Sequence, residues 1–175
     1  MKILCDLTLE RLTVYDPLNP FTCKIMNTVR NLTNGWRKRN EIVYATTGDR
    51  SENDTYPVDP DKFPRGNWLI TGVFEIQRKN YVFTNEYEEA VKIFGHAVVT
   101  TNAYRDAPVW TVENGLYHER LEDMTIRDSQ FWIHGSDYKT SWGCIINPDP
   151  IKQYKFAEIC KMELELNSVI PFEVI

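Results

Sequence analysis

The sequence predicts a mainly β protein, a sandwich or barrel with two or so peripheral helices, and three observations predict it. Branched and aromatic residues are concentrated in short runs bounded by Gly, Pro, Asn and Asp, as is typical of strands joined by turns. Apolar and polar residues alternate in the opening segment. Helical patterns are confined to one stretch near the middle of the chain and one near its end.

The first quarter of the chain predicts strands separated by turns. Residues 5–14 show a period-two alternation that indicates a half-buried strand, which the Asp- and Pro-rich segment 16–20 ends. Residues 22–40 leave open a short helix or irregular structure ending in a basic turn. Residues 42–47 predict another strand.

The middle of the chain predicts a long surface excursion, two strands and a helix. Residues 48–66 are rich in Asp, Asn, Ser, Pro and Gly, the composition of exposed structure. Strands are predicted over 68–76 and 96–101. Between them, Asn85 is a candidate N-cap for a helix that Gly95 ends.

The last part predicts strands around one long helix. Residues 103–122 mix strand and turn signals, and residues 125–133 lead an apolar segment up to His134. Residues 168–175 predict a final strand. We expect one domain over 1–175, because no repeat or composition shift marks a linker. Before the final strand, an amphipathic helix is predicted from the spacing of Ile151, Tyr154, Ile159, Met162 and Leu166.

Composition excludes several classes of protein. The 175 residues carry a formal net charge of −5 and are 42% hydrophobic and 13% aromatic, which is unlike a disordered chain. The acidic balance gives no general attraction to nucleic acid. We find no apolar run long enough for a signal peptide or a membrane span, so we expect cytoplasmic synthesis.

Cysteine and histidine spacing argues against a bound metal or other cofactor. No C-x-x-C or H-x-x-x-H pair occurs, and the chain is large enough to fold without disulfides. We therefore expect neither a cofactor nor a metal. Cys5, Cys23 and Cys160 are interpreted as structural, and His96 and His118 are kept as minor alternative bases.

The densest group of reactive residue types lies within 131–147. His134 follows an apolar segment, and Cys144 follows Gly143, whose missing side chain permits close approach of a substrate. A thiol with a pKa of about 8.5 needs activation, which a nearby imidazolium supplies. The backbone amides of Gly143 and Cys144 are candidate oxyanion donors, worth ~3 kcal/mol each. We expect sulfur and a ring nitrogen within about 4 Å.

This segment resembles a family signature. The pair His134-Gly135 followed by Ser141-Trp142-Gly143-Cys144-Ile145 is similar to the motif of the L,D-transpeptidases, which have the YkuD-like fold. Segments 45–48 and 63–68 are also similar to that family. The resemblance implies a β-sandwich or barrel of L,D-transpeptidase type.

The resemblance also implies chemistry on the bacterial cell wall. The family crosslinks peptidoglycan stem peptides through a cysteine thioester, or trims them when water replaces the amine acceptor. By this resemblance Cys144 is the nucleophile and His134 the base, with Ser141 and Gly143 in the catalytic loop and Trp142 beside the substrate. A carbonyl around Gly135 or Ser136 is expected to orient the imidazole.

Two departures from the family pattern refine this expectation. The histidine and cysteine are ten positions apart, a short connection, and Ile146 stands where relatives often carry Arg or Asn. The short connection and the lack of a signal peptide are similar to phage-associated or secretion-system effector relatives. Such relatives imply a delivery or immunity partner and action in the periplasm or cell wall. Candidate donors to the substrate carboxylate are Arg127, Arg105, Lys139 and Asn147.

Other interpretations remain open. Cys144 can be a packed small hydrophobe and His134 a structural histidine. Ser141 can be a turn residue, and Trp142 can serve packing alone. At the level of function, the alternatives are another cysteine peptidase, of papain or NlpC/P60 type, or an inactive β-rich interaction module. In those peptidases, however, the cysteine precedes the histidine.

Overall fold

The computed structural model describes residues 1–27, 36–39, 42–45, 63–113, 116–129, 131–138 and 144–175. These residues form twelve strands, two α-helices and a short 3₁₀ helix at Arg78–Asn80. Most of the predicted surface excursion at 48–66 lies outside them.

The opening segment is a meander of three antiparallel strands, β1 (Lys2–Asp6), β2 (Arg11–Tyr15) and β3 (Phe21–Lys24). Alternate residues are buried along each strand, as the period-two pattern predicted. The prediction of one continuous strand is wrong because Asp6 turns the chain. Its carboxylate accepts the backbone N–H groups of Thr8 and Leu9 at 2.9 and 2.8 Å.

A separate antiparallel sheet contains the long central hairpin. Its order is β4–β5–β8–β9, with β4 at Trp36–Arg39, β5 at Ile42–Ala45, β8 at Arg105–Glu113 and β9 at Leu116–Asp128. The basic run at 37–39 is therefore strand, although the sequence predicted a basic turn.

The larger sheet contains the opening meander and five further strands: β6 (Gly66–Glu75), β7 (Ala97–Thr101), β10 (Ile133–Gly135), β11 (Ile145–Asn147) and β12 (Ile170–Val174). Its eight strands follow the order β11–β10–β7–β6–β12–β1–β2–β3. The pairs β1–β12 and β10–β11 are parallel, and the other neighbours are antiparallel.

The two ends of this sheet meet, so that it nearly closes into a barrel. Met26, just after β3, exchanges two backbone hydrogen bonds with Ile146 of β11, at 2.7 and 2.8 Å. These two bonds satisfy backbone N–H and C=O groups that would be unpaired at an open sheet edge. The predicted fold class, mainly β with two helices, is confirmed.

The helix α1 covers Thr84–Phe94 and ends at Gly95, as predicted. Its N-cap residue is Phe83, which makes no side-chain cap bond, so the prediction that Asn85 caps the helix is wrong. None of its eleven residues is buried. The position of α1 therefore depends on contacts at its carboxyl end, described below.

The helix α2 covers Pro150–Asn167 and lies against the core. The Asp149 carboxylate caps it by accepting the N–H groups of Ile151 and Lys152. The ring of Phe156 stacks on that of Phe21 at 6.1 Å between centroids. The residues that α2 buries are Gln153, Phe156, Ala157 and Cys160.

The predicted helix is confirmed, but its orientation differs from the amphipathic pattern. Of the five residues in that pattern, Ile159 packs partly against the core and the other four are exposed. The buried side was inconspicuous in the sequence because its first member, Gln153, is polar and two others, Ala157 and Cys160, are small. The exposed residues are Ile151, Tyr154, Met162 and Leu166.

Candidate active site

The register of β10 and β11 directs His134 away from the main core. Ile133 and Ile145 lie opposite each other and belong to the main core. Because side chains alternate along a strand, His134 and its partner Ile146 lie on the other face. Pairing with β7 places Val98 beside His134 on that face.

Cys144 immediately precedes β11, beside the strand that contains His134. It stands two residues before Ile146, the register partner of His134. The backbone N–H of Trp132 donates to the sulfur of Cys144 at 3.4 Å, and the N–H of Ile145 donates to the carbonyl of Trp132 at 2.9 Å. Cys144 is thus placed diagonally across from His134, one residue before β11 begins. Their predicted separation of about 4 Å stays a prediction.

The backbone of Cys144 is hydrogen-bonded to Asn27, which lies next to the contact that closes the sheet. The Asn27 side-chain amide donates to the carbonyl of Cys144 at 3.3 Å, and its oxygen accepts the N–H of Phe63 at 3.0 Å. Asn27 follows Met26, which closes the sheet against β11. The half-buried thiol therefore depends on contacts from distant parts of the sequence.

His134 is oriented by its own neighbour in the chain. Its ring Nδ1 lies in hydrogen-bond contact with the carbonyl oxygen of Gly135. Because a carbonyl oxygen only accepts, Nδ1 carries the proton and donates it, which leaves Nε2 as the atom that can take up another proton. The prediction that a carbonyl around Gly135 or Ser136 orients the imidazole is confirmed at Gly135.

The surroundings of His134 favour its neutral form. The side chain is 3% exposed. This burial lowers the pKa of His134, and the bond to Gly135 opposes the shift. The sequence predicted an imidazolium that activates the thiol. The structure instead favours an uncharged imidazole, the form that can accept a proton.

Phe94, at the end of α1, packs against the imidazole. The two rings meet edge to face with centroids 5.3 Å apart. Phe94 also contacts the ring of Trp132 at 6.2 Å, and Trp132 meets Phe74 edge to face at 5.7 Å. Three aromatic rings therefore accompany His134 on this side of the sheet. Sequence reasoning missed all three, because each stands in an ordinary strand or helix pattern.

Several predicted site residues lie outside the described residues. These are Lys139, Ser141, Trp142 and Gly143. Their assignments, including the oxyanion role of the Gly143 amide, stay predictions.

Asn147 is placed away from the thiol. Its side chain is 2% exposed and lies on the opposite face to Ile146. Its amide donates to the sulfur of Cys23 at 3.3 Å, and its oxygen accepts the N–H of Asp149 at 3.1 Å. The prediction that Asn147 contacts substrate does not fit this arrangement, because the amide is already bonded within the protein.

The two candidate arginines belong to the four-stranded sheet. The guanidinium of Arg127 lies 4.0 Å from the ring centroid of Tyr104, and that of Arg105 lies 5.7 Å from the ring of Phe131. Phe131 immediately precedes Trp132, whose N–H contacts the Cys144 sulfur. Phe131 belongs to the main core, so the contact with its ring places Arg105 against the core. Carboxylate recognition by either stays a prediction.

The other cysteines and histidines lie elsewhere. Cys5, Cys23 and Cys160 are buried, as their structural interpretation predicted, and burial raises the pKa of each thiol, that of Cys23 to about 12. The exposed His96 lines a cleft of about 550 Å³ together with Glu75 and Tyr154. Cys144 and His134 are not among the residues lining it. The side chain of His118 is not among those that the structure describes.

Within the described ranges, no group of three or more His, Cys, Asp or Glu residues is arranged to hold a metal ion. No helix among these residues is both long and apolar enough to cross a membrane.

Comparison of the chain with family models, with curated proteins and with solved structures gives no match.

Proposed function

We propose that the protein is a cysteine acyl-transfer enzyme that acts on peptidoglycan stem peptides. The observation that carries the proposal is the pairing of β10, which contains His134, with β11, which Cys144 immediately precedes. The orientation of the imidazole by Gly135 supports it, because Nε2 is then available as a base. The resemblance of the His-Gly and Ser-x-Gly-Cys segments to L,D-transpeptidases supplies the substrate class.

The first half-reaction forms a thioester. As the sulfur of Cys144 bonds to the carbonyl carbon between the L-centre of a diamino acid and a terminal D-alanine, Nε2 of His134 takes the thiol proton. The tetrahedral intermediate then collapses. The C–N bond breaks, and the departing amine takes the proton back from His134, so D-alanine leaves and the acyl group stays on sulfur.

The second half-reaction transfers the acyl group to an acceptor. His134 takes a proton from the acceptor as it attacks the thioester carbonyl and returns that proton to the sulfur as the C–S bond breaks. An amine of a second stem gives a crosslink, a D-amino acid gives exchange, and water gives L,D-carboxypeptidase trimming. As a further part of this proposal, the enzyme works in the periplasm or cell wall after delivery, with a delivery or immunity protein as partner.

The test is mass spectrometry of purified muropeptides after incubation with the protein. Loss of terminal D-alanine, exchange or crosslinking is expected, and Cys144→Ala should reduce it at least about 1000-fold. His134→Gln should also be strongly impaired, whereas His96→Gln, which alters an exposed histidine, should retain activity.

Two results would redirect the assignment. Unchanged muropeptides together with a Cys144 thiol no more reactive than a small model thiol would favour an interaction module. Cleavage of ordinary L-peptides in preference to muropeptides would favour another cysteine peptidase.

A further inference from the structure

The outward side of α2 carries an apolar stripe that the fold itself does not use. We call it the outer stripe: Ile151, Tyr154, Met162 and Leu166, with Lys155 and Glu158 between them. Ile151 and Leu166 are each 80% exposed. Isolated exposed apolar residues are ordinary, but four along one helix face mark a candidate interaction surface.

Four of the six residues of the outer stripe lie on one line along the helix. At 3.6 residues per turn, positions 151, 155, 158 and 162 recur on one side, as in the seam of two packed helices. Its sequence along this line is apolar, basic, acidic, apolar. When a second copy runs in the opposite direction, apolar residues lie opposite apolar ones and the basic residue lies opposite the acidic one. The same line can therefore pair with itself in an antiparallel arrangement.

The charges of α2 support an antiparallel neighbour. Lys152 and Lys155 lie in the amino-terminal half, and Glu165 lies in the last turn. The first turn contains no acidic residue and the last turn contains no basic one. The helix dipole prefers the opposite distribution of charge, although the Asp149 cap supplies a negative charge at the amino end. An antiparallel helix would place its acidic half beside the basic half of the first.

The flanking charges are already paired within the chain. Lys161 lies 3.6 Å from Glu75, and Glu163 lies 3.6 Å from the amino terminus. Lys155 makes a loose contact with the Phe21 ring, its ammonium 6.0 Å from the centroid. Lys155 and Glu158 are thus the charges placed on the central line of the outer stripe.

We propose that two copies of this chain associate through α2, antiparallel about a two-fold axis. In this register Ile151 of one copy packs against Met162 of the other, and Lys155 lies opposite Glu158, so each contact occurs twice. The proposal does not depend on the enzymatic function. A single helix pair is small compared with the roughly 1,600 Å² of a standard stable interface, so the association is weak and depends on concentration.

Sedimentation equilibrium of the full chain over a wide concentration range tests the association. A reversible monomer–dimer equilibrium is expected. Met162→Glu should weaken dimerisation at least about tenfold, equivalent to about 1.4 kcal/mol, because it buries a charge against Ile151. Leu18→Glu, at a loop residue that is 87% exposed, is the matched control and should leave the dimer unchanged. A monomer at every concentration, or a dimer insensitive to Met162→Glu, would overturn the proposal.

A charge exchange tests the antiparallel register. Lys155→Glu and Glu158→Lys should each weaken the dimer, because each creates like charges across the seam. The double variant exchanges the two charges and should restore dimerisation. Helix content by circular dichroism checks that the single variants stay folded. Failure of the double variant to recover the dimer, with helix content unchanged, would reject this register.

Discussion

The chemistry of His134 depends on contacts from different parts of the chain. Gly135 fixes the protonated ring nitrogen, and Phe94 covers part of the ring from the end of α1. Burial by these surroundings lowers the pKa of His134. A histidine that must work as a base at neutral pH benefits from this, because the uncharged form is the one that accepts a proton.

The buried imidazole should make the stability of the protein depend on pH. Its folded pKa lies below the unfolded value of about 6.5, so the unfolded chain binds the proton first as pH falls. The contribution of His134 to the free energy of unfolding is complete above about pH 6.5. It is lost as the pH falls through the pKa of His134 in the folded protein. Urea unfolding at several pH values should show this loss. His134→Gln should reduce the slope of the free energy of unfolding against pH.

The control for that measurement is His96→Gln, because His96 is exposed. It should leave the slope between about pH 6.5 and 5 unchanged. An identical slope in His134→Gln and the parent protein would contradict the assignment of that slope to His134.

Phe94 should act on the reaction through His134. Phe94→Ala admits water to the imidazole, so we expect the pKa of His134 to rise toward its ordinary value, which NMR titration of the ring protons measures in the absence of any substrate. Activity should fall by up to about 100-fold in kcat, with KM little changed, because the base is less well positioned. Phe94→Leu should recover part of both effects.

Phe83→Ala removes an exposed ring at the other end of the same helix and is the control. If both alanine variants leave the His134 titration unchanged, Phe94 has no positioning role, whatever the substrate proves to be.

At the scale of elements, the carboxyl end of α1 holds the segment that follows His134. The carbonyl of Lys92 accepts the N–H of Asp137 at 2.8 Å and the hydroxyl of Ser136 at 3.3 Å. Gly95 lies against the backbone of Gly135, where an added Cβ would come within 3.2 Å of its Cα. This close approach brings Phe94 onto the imidazole, so helix and strand form one unit around the His134 side chain.

Gly95→Ala should therefore destabilise the protein. Gly95 has φ 69° and ψ −164°, a conformation that is essentially restricted to glycine, and the new methyl group would press on Gly135. We expect a loss of about 1–3 kcal/mol in the free energy of unfolding, measured with urea. Gly135→Ala is the matched control: its φ is not positive and its nearest contact is 3.4 Å, so its cost should be smaller. Equal costs would contradict this explanation.

At the scale of the whole molecule, the nearly closed sheet separates one accessible thiol from three buried ones. Cys5, Cys23 and Cys160 lie in the core, whereas Cys144 lies half-buried where β11 begins. The closing contact between Met26 and Ile146 brings the first and last thirds of the chain together beside that thiol. Which cysteines are accessible to a reagent therefore depends on the sheet staying nearly closed.

Iodoacetamide should label Cys144 first. Burial hinders access to the other three thiols and raises the pKa of each, which also lowers the thiolate fraction. We expect a single alkylation by intact-mass spectrometry under native conditions, absent in Cys144→Ala, and the remaining labels only in denaturant. Native labelling of Cys5, Cys23 or Cys160 at a rate similar to that of Cys144 would show that the sheet opens readily.

Local patterns by themselves determined most of the strands, both helices and the two central candidates for the site. Alternation of apolar residues predicted the strand character of β1 and β2, although not the turn between them. Gly95 predicted the end of α1. Both signals act between near neighbours in the chain. The same local reasoning identified His134 and Cys144 from residue type and spacing. It also predicted that a nearby carbonyl orients the imidazole.

Only the tertiary structure decided which surfaces meet. It turned Ile151 and Leu166 of α2 outward, directed Asn147 away from the thiol, and brought Phe94 onto His134 across forty positions of sequence. Each outcome depends on the sheet register and on its near-closure at Met26. Such long-range pairings leave no periodic signal in the chain, because an apolar residue has the same local pattern whether it faces a core, a partner or a reacting group.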